Sequence, residues 1–378
     1  MNSEQQQIRD LAREFADNEI VPHAVEWDRE GEFPREVIAK LGELGFLGML
    51  IPEEWDGLGL DTLSYLVALE EIARGDASVA VAMSVHNSLP TQMILAHGSD
   101  GQKERFLKPM ARGESLGAFS LSEPDSGSDA AAMQAQARRV DGGWVLNGAK
   151  AWVTNGGFGD VVMTMVRTDQ PGNRRGSRGI GAFIVPTGTQ GYVIGKKEDK
   201  MGQRASETVG VAFEEMFIPD EQVLGEPDHG FIYAMQGLNG GRMGIAALAI
   251  GIAQAALEHS IRYAGERRQF GRPIKDFQGV QFKLANMATR VEAARGLLHR
   301  AALLKDEGQK VSSIASMAKL FASETAMYVT TEAIQVFGGY GYMKEYPVEK
   351  LFRDAKVTEI YEGTSEIQRT VIARELYR

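Results

Sequence analysis

Three stretches of the sequence combine residue types that serve chemistry better than packing. In Ile360-Tyr361-Glu362-Gly363-Thr364-Ser365-Glu366 a carboxylate stands immediately before a glycine and a helix-opening threonine. That order puts Glu362 on a loop, where a base can face a cleft, rather than on a solvated helix face. Thr364 and Glu366 fit the cap of the following helix, and capping alone would account for them. In Phe119-Ser120-Leu121-Ser122-Glu123-Pro124-Asp125-Ser126-Gly127-Ser128-Asp129 a β-type run enters a turn rich in Pro, Gly and Ser. Backbone N–H groups and hydroxyls in such a turn can cradle phosphate, although a plain surface turn has the same composition. In Lys150-Ala151-Trp152-Val153-Thr154-Asn155-Gly156 strand alternation puts Trp152 and Thr154 on one side, an indole to stack on a planar ring beside a hydroxyl to donate to it. A Trp in a β domain is more often core, so packing stands as the alternative.

Literal motifs are scarce: no G-x-G-x-x-G, Walker A, H-E-x-x-H or EF-hand loop occurs. Gly113-Glu114-Ser115-Leu116-Gly117 spells the G-x-S-x-G of hydrolases, but that elbow needs a strand before the serine and a helix after it. Helix signals precede Ser115 and strand signals follow it, so the segment reads as a connector. The six histidines lack ligand spacing, and no metal site is expected. The absence of Cys excludes disulfides, thiolate zinc, protein-ligated iron–sulfur clusters and a Cys nucleophile, and suits a reducing cytoplasm.

The elements that must position these stretches follow from length and periodicity. A chain of 378 residues predicts two to three domains, and 43% hydrophobic with 24% charged residues is the composition of a folded globular protein. A net charge of −10 argues against nucleic acid as a partner. The N-terminus lacks the basic-then-apolar order of a secretory signal and the Arg-rich character of a mitochondrial presequence. The small-apolar stretch from Gly244 to Leu257 is shorter than the roughly 20 residues that span a bilayer and carries Gln254, so a buried helix and no membrane partner are expected.

Residues 1–113 read as an N-terminal helical domain, with capping pairs at Ser3/Gln6 and Ser99/Gln102 and Pro34 at a first helical position. Over 114–225 the period changes to two, in runs such as Trp144 to Leu146, Val161 to Val166, Ala182 to Val185 and Val209 to Phe213. Turns at Asp141-Gly142-Gly143, Asn147-Gly148 and Asn155-Gly156 predict antiparallel hairpins, hence a middle antiparallel β domain. Residues 226–378 read as a C-terminal helical bundle, with helices over 230–264, 279–306, 312–337 and from Thr364 to the end.

Taken together, FSLSEPDSGSD, NGAKAWVTNG, KKEDKMGQRASET, ERRQFGRPI with FQGVQFKLA, QVFGGYGY and RDAKVTEIYEGTSEIQR resemble the acyl-CoA dehydrogenase family along essentially the whole chain, in particular its short-chain, butyryl-CoA dehydrogenase-like subgroup. The resemblance implies that family's three-domain fold and an FAD cofactor contacted by Phe119, Leu121, Ser122, Gly127, Ser128, Trp152, Val153, Thr154, Thr364 and Glu366. Ser122 would lie near the pyrimidine end of the flavin, Ser128 near phosphate, Trp152 on one flavin face and Thr154 close to N5. A neighbouring subunit would complete the site through Arg267, Phe270, Gln278, Gln335, Val336, Gly338 and Gly339, within a homotetramer built as a dimer of dimers. Ser128, Asn239, Arg242 and Gly363 would contact the acyl-CoA substrate. The basic run Arg174-Arg175-Gly176-Ser177-Arg178 could attract the phosphates of CoA but reads more simply as a solvated hairpin tip.

The implied reaction is α,β-dehydrogenation of a saturated acyl-CoA to the trans-2-enoyl-CoA, a step of fatty acid β-oxidation. Glu362 would remove the α-proton, the β-hydride would pass to flavin N5, and an electron-transfer flavoprotein would take the electrons. The family carries its base either in the YEG segment or just before an Arg in the long helix after the β domain. Here Gly241 precedes Arg242, leaving Glu362 as the candidate and favouring short, medium or simple branched acyl groups. An acyl-CoA oxidase-like enzyme using oxygen is the alternative activity; a silent scaffold would lack the base.

Overall fold

The computed structural model describes residues 1–169, 172 and 175–377. Its first part is helical: α1 (Ser3–Phe15), α2 (Ala24–Glu30), α3 (Arg35–Glu43), α4 (Thr62–Gly75), α5 (Ala77–Ser88), α6 (Pro90–His97), and the short α7 (Asp100–Gln102) and α8 (Lys108–Ala111). The capping box at Ser99 and Gln102 is present. At the N-terminus the box is one residue earlier than expected, between Asn2 and Gln5, because the Gln5 amide also donates to Asp61 Oδ2 at 2.9 Å and is buried there. Pro34 is likewise one position out, preceding the first helical residue, Arg35.

A seven-stranded sheet follows: β1 (Gly117–Ser120), β2 (Gln136–Val140), β3 (Gly143–Thr154), β4 (Val161–Arg167), β5 (Ile180–Pro186), β6 (Tyr192–Lys197) and β7 (Thr208–Pro219). Most pairs are antiparallel, and Gly142 closes the β2–β3 hairpin with φ +74°, but the expected hairpin at Asn155-Gly156 does not form: that turn leads from β3 to β4, which pair with other strands. β1 instead runs parallel to β4, with Gly117 opposite Val161, and β2 meets the end of β4 in the same sense. No crossover helix is needed there, because the β2–β3 hairpin itself makes the return. Asn147-Gly148 is not a hairpin turn but a bulge inside β3, where the register to β7 shifts. β4 and β5 are buried along almost their whole length and form the middle of the β core.

The last part holds α9 (Gly230–Glu266), the two-stranded tip β8 (Arg268–Gln269) and β9 (Arg272–Pro273), α10 (Gln278–Asp306), α11 (Ser312–Phe337), α12 (Val348–Lys356) and α13 (Ser365–Leu376). α12 went unread in the sequence because its apolar positions, Val348, Leu351 and Ala355, are outnumbered by charges. α9 packs against α11, α4, α10 and α5, so one hydrophobic core runs through both helical parts. Its small residues permit that approach: a Cβ at Gly251 would overlap the backbone of α4 at Glu70. The length argument against a membrane span does not hold for α9, which has 37 residues and an apolar window of mean hydropathy 1.4. Burial marks it as a core helix instead, since 78% of that window lies inside the protein.

Candidate active site

The turn after β1 is built on a buried ion pair that the motif itself does not advertise. Glu123 accepts from the backbone N–H groups of Gln134 (2.6 Å) and Ala135 (3.0 Å) and pairs with Lys150 Nζ at 2.9 Å. Lys150 also donates to the Leu121 carbonyl at 3.0 Å, and its side chain is wholly buried. Burial pushes its ammonium down to about 8, against the pull of Glu123. The pair and the Ala151 N–H to Ser122 carbonyl bond (2.9 Å) clamp the turn onto β3. The turn closes on itself through Glu123 N–H to the Ser126 carbonyl and Ser126 Oγ to the Asp129 carbonyl, leaving Gly127 and Ser128 exposed. Phe119 and Leu121 are half-buried against the cores on either side.

β3 does not keep simple alternation across the tryptophan. Trp152 has φ +57°, and the pairing to β7 shifts between Lys150 and Val153. This left-handed residue, unusual for a bulky side chain, turns the indole outward: Trp152 is 60% exposed while Val153 is buried in the β core. The packing alternative for Trp152 therefore fails, and only the main chain of Val153 is free to face a ligand. Thr154 closes the strand, half-buried.

Glu362 lies on the loop before α13 in a backbone conformation that needs support, with φ +54° followed by φ +89° at Gly363. The Gln368 amide donates to the carbonyls of Glu362 (3.0 Å) and Gly363 (2.8 Å), and Lys319 Nζ donates to Gly363 at 2.8 Å. One residue upstream, the Tyr361 hydroxyl accepts from Gln203 Nε2 at 3.0 Å, and Gln203 is anchored by its backbone N–H to Asp354 Oδ1. Glu362 Oε2 is buried and makes no hydrogen bond among the described residues. Burial pushes the Glu362 carboxyl up to about 7, with Arg242 and then Lys319 pulling the other way. A Cβ at Gly241 would overlap Glu362 Oε2, so the missing side chain on α9 is the room the carboxylate occupies. Arg242 is buried beside it, donating through Nη1 to Asn239 Oδ1 at 2.9 Å. Thr364 caps α13 by accepting from the Ile367 N–H, as its capping alternative allows, and Glu366 stays exposed in the first turn.

The remaining candidates gather elsewhere. Arg267, Val336, Gly338 and Gly339 line a cavity of about 520 Å³ together with Tyr263, Tyr340 and Met343, and no residue from Phe119 to Thr154 lines it. Phe270 stands 94% exposed at the tip between β8 and β9, while Gln278 and Gln335 are exposed on α10 and α11. Arg174 lies outside the described residues, and Arg175 is paired with Asp228 at 2.9 Å. Ser115 sits between α8 and β1, with a strand after it and none before it, which removes the hydrolase reading.

Lys319, Gln368 and Gln203 were not singled out from sequence. A signal existed for Lys319, which interrupts the buried alanine face of Ala315, Ala318 and Ala322 on α11.

The residues present fit a flavin nucleotide. Ser122, Ser128 and Thr154 make no side-chain hydrogen bond among the described residues, so their hydroxyls are available to a ligand. They lie on the turn and strand that carry the outward indole of Trp152, beside an exposed glycine whose Cβ would meet nothing within 4 Å.

Three family models match in chain order: the acyl-CoA dehydrogenase N-terminal domain over residues 2–114, the middle domain over 118–216 and the C-terminal domain over 228–377. The chain is 50% identical over 373 residues to the mitochondrial short-chain specific acyl-CoA dehydrogenase of Rattus norvegicus, covering 99% of this chain and 90% of that protein. Among solved structures, butyryl-CoA dehydrogenase from Megasphaera elsdenii matches with a TM-score of 0.98 and 44% identity, over 100% of this chain and 99% of that one. A chain from work on the electron transferring flavoprotein of Acidaminococcus fermentans and flavin-based electron bifurcation matches equally, with a TM-score of 0.98, 45% identity and the same coverage.

Proposed function

The chain belongs to the acyl-CoA dehydrogenase family of FAD-dependent oxidoreductases, and from that premise we propose that Glu362 is the base that removes the α-proton as a saturated acyl-CoA becomes its trans-2-enoyl product. The observation that carries this reading is the orphaned Oε2 of Glu362, a buried carboxylate oxygen with no hydrogen-bond partner among the described residues. An ordinary carboxylate, titrating near 4, is a poor base for a carbon acid. One held near 7 by burial is matched to neutral pH. The Glu362 N–H donates to no backbone acceptor among the described residues, and it is suited to polarise the thioester carbonyl and so acidify the α C–H.

FAD, when bound, supplies the two-electron acceptor for the β-hydrogen. Phe119, Leu121, Ser122, Gly127, Ser128, the main chain of Val153, Thr154, Thr364 and Glu366 would hold it from one subunit, under the indole of Trp152. Arg267, Phe270, Gln278, Gln335, Val336, Gly338 and Gly339 would complete the site from a second copy, in a dimer two of which would form the homotetramer. Ser128, Asn239, Arg242 and Gly363 would contact the substrate, a short, medium or simply branched acyl-CoA, and the names of the relatives above favour the short chain. The electrons would leave past Trp152 to an electron-transfer flavoprotein, in a cysteine-free enzyme suited to the cytoplasm. The same reading divides the chain at 1–113, 114–225 and 226–378, supported by the loops after Ala111 and after Gln222.

The test is Glu362→Gln. The variant is expected to keep FAD and bind acyl-CoA while anaerobic flavin bleaching slows by about 10²-fold to 10⁴-fold, the scale of a lost general base. Near-normal bleaching would overturn the base assignment, and peroxide formed with acyl-CoA alone would replace the flavoprotein acceptor with oxygen.

A further inference from the structure

Lys319 is a buried cation with no carboxylate at ion-pair distance among the described residues. It sits on α11 between Ala315, Ala318 and Ala322, is 0% exposed, and spends one donor on the Gly363 carbonyl at 2.8 Å. Burying an ammonium disfavours folding unless a nearby charge offsets it. Holding the turn does not require that charge, because the neutral Gln368 amide already donates to the carbonyls of both Glu362 and Gly363.

The charged groups that face Lys319 are Glu362 on the same turn, Glu359 on the short turn after α12, Arg242 on α9 and Glu366 on α13. Glu359 is paired with Lys356 at 2.5 Å, Glu366 is exposed, and Arg242 has the same sign as Lys319. Around Glu362 itself stand Arg242, Lys319 and the hydroxyls of Tyr65 on α4 and Tyr361, both held neutral by burial. The buried carboxylate left to balance Lys319 is Glu362.

We propose that Lys319 is a positioning residue for the base: it fixes the Glu362–Gly363 turn from inside the bundle, and its ammonium stabilises Glu362 as the carboxylate that receives the α-proton. This rests on the reading of Glu362 as the base. Lys319 touches no reacting atom in this role; it acts through the residue it holds. Burial draws its own ammonium down to about 8, with Glu362 pulling the other way.

The experiment is the pH profile of kcat/KM for the flavin-loaded enzyme and its variants Lys319→Gln, Lys319→Met and Lys319→Arg, with flavin content and melting temperature measured alongside. Removing the cation should raise the pKa of Glu362, so the acid limb in the Gln and Met variants is expected to move up by about one pH unit. Lys319→Arg, which keeps the charge, is expected to keep the limb near its wild-type position. Activity lost evenly across pH with an unmoved limb would make Lys319 merely structural and overturn the inference. So would failure of both neutral variants to fold or retain flavin. Glu362→Gln run in parallel separates the two claims. If it still bleaches, the base assignment has failed; if it is inactive while the Lys319→Gln limb stays put, only the inference about Lys319 has failed.

Discussion

Glu362 is buried more easily as the neutral acid than as the carboxylate. The unfolded glutamate titrates near 4.5 and the folded one near 7, so between those values the folded state binds more protons than the unfolded state. Stability therefore falls as pH rises from 4.5 to 7 and stays lowered above that. A shift of this size corresponds to roughly 3 kcal/mol. Glu362→Gln, which carries no charge to bury, is expected to melt higher than wild type at pH 8, with the difference closing towards pH 5; equal melting at both pH values would refute it. The candidacy of Glu362 was legible in the sequence, because a carboxylate before Gly-Thr must sit on a loop and Gly241 removes its rival. The burial of Lys319 was signalled by its alanine neighbours but its partner was not, since nothing in the order of residues says which side chain crosses 44 positions to reach a given carbonyl; Gln368 reaches back only six and five positions, to a turn whose shape exists only in the fold. Geometry also adds a constraint on moving the base. A glutamate at position 241 starts from a Cβ that overlaps Glu362 Oε2, so it has room only where residue 362 is truncated.

At the scale of elements, the site depends on how β1 and its turn are fastened to β3. Helices were readable wherever a 3.6-residue period ran long enough, as in α9, α10 and α11. Hairpins were readable where Asp-Gly closed them. What sequence missed came from competition between near-equal local signals or from pairing at a distance: the cap one residue early, the bulge at Gly148, the left-handed Trp152 and the parallel β1. The Lys150–Glu123 pair belongs to that second kind, joining residues 27 apart in sequence across a buried interface. Breaking a buried pair by removing one partner typically costs about 3–5 kcal/mol, because the other charge is left uncompensated. Lys150→Met is therefore expected to lower the melting temperature and the flavin content together. Lys150→Met with Glu123→Leu should recover much of the stability but not the flavin, because the carboxylate also holds the Gln134 and Ala135 N–H groups that shape the turn. Additive losses in that double-mutant cycle would show that the pair does not hold the turn.

On the proposed reading the site is divided between two parts of the chain. One would use Trp152 and Ser128 of the β domain with Glu362 before α13; the other would use Arg267 and Gly338, which line a cavity with Tyr263 and Tyr340. Phe270 is 94% exposed, Tyr342 82% and Met343 52%, and Met343 lines the Arg267 cavity. The family resemblance named Phe270 but not its exposure, which exists only once the fold has formed. A dimer that closes Phe270 and the Arg267 cavity over a neighbour's Ser128 turn would bury this surface and unite the two halves. Arg267→Ala is then expected to weaken flavin retention during dialysis, although Arg267 lies far in sequence from Ser128 and lines a cavity that excludes it. Phe270→Asp should go further, lowering the oligomeric state in sedimentation and releasing flavin in proportion. The Glu362 pocket is the internal control, since neither Arg267 nor Phe270 shares a hydrogen bond with Lys319 or the Gly363 turn among the described residues, and any protomer that keeps its flavin should still be bleached by acyl-CoA at an unchanged pH limb. A Phe270→Asp protein that is strictly monomeric yet holds a full complement of FAD would mean that one chain suffices for the site, and the two-subunit arrangement would have to be abandoned.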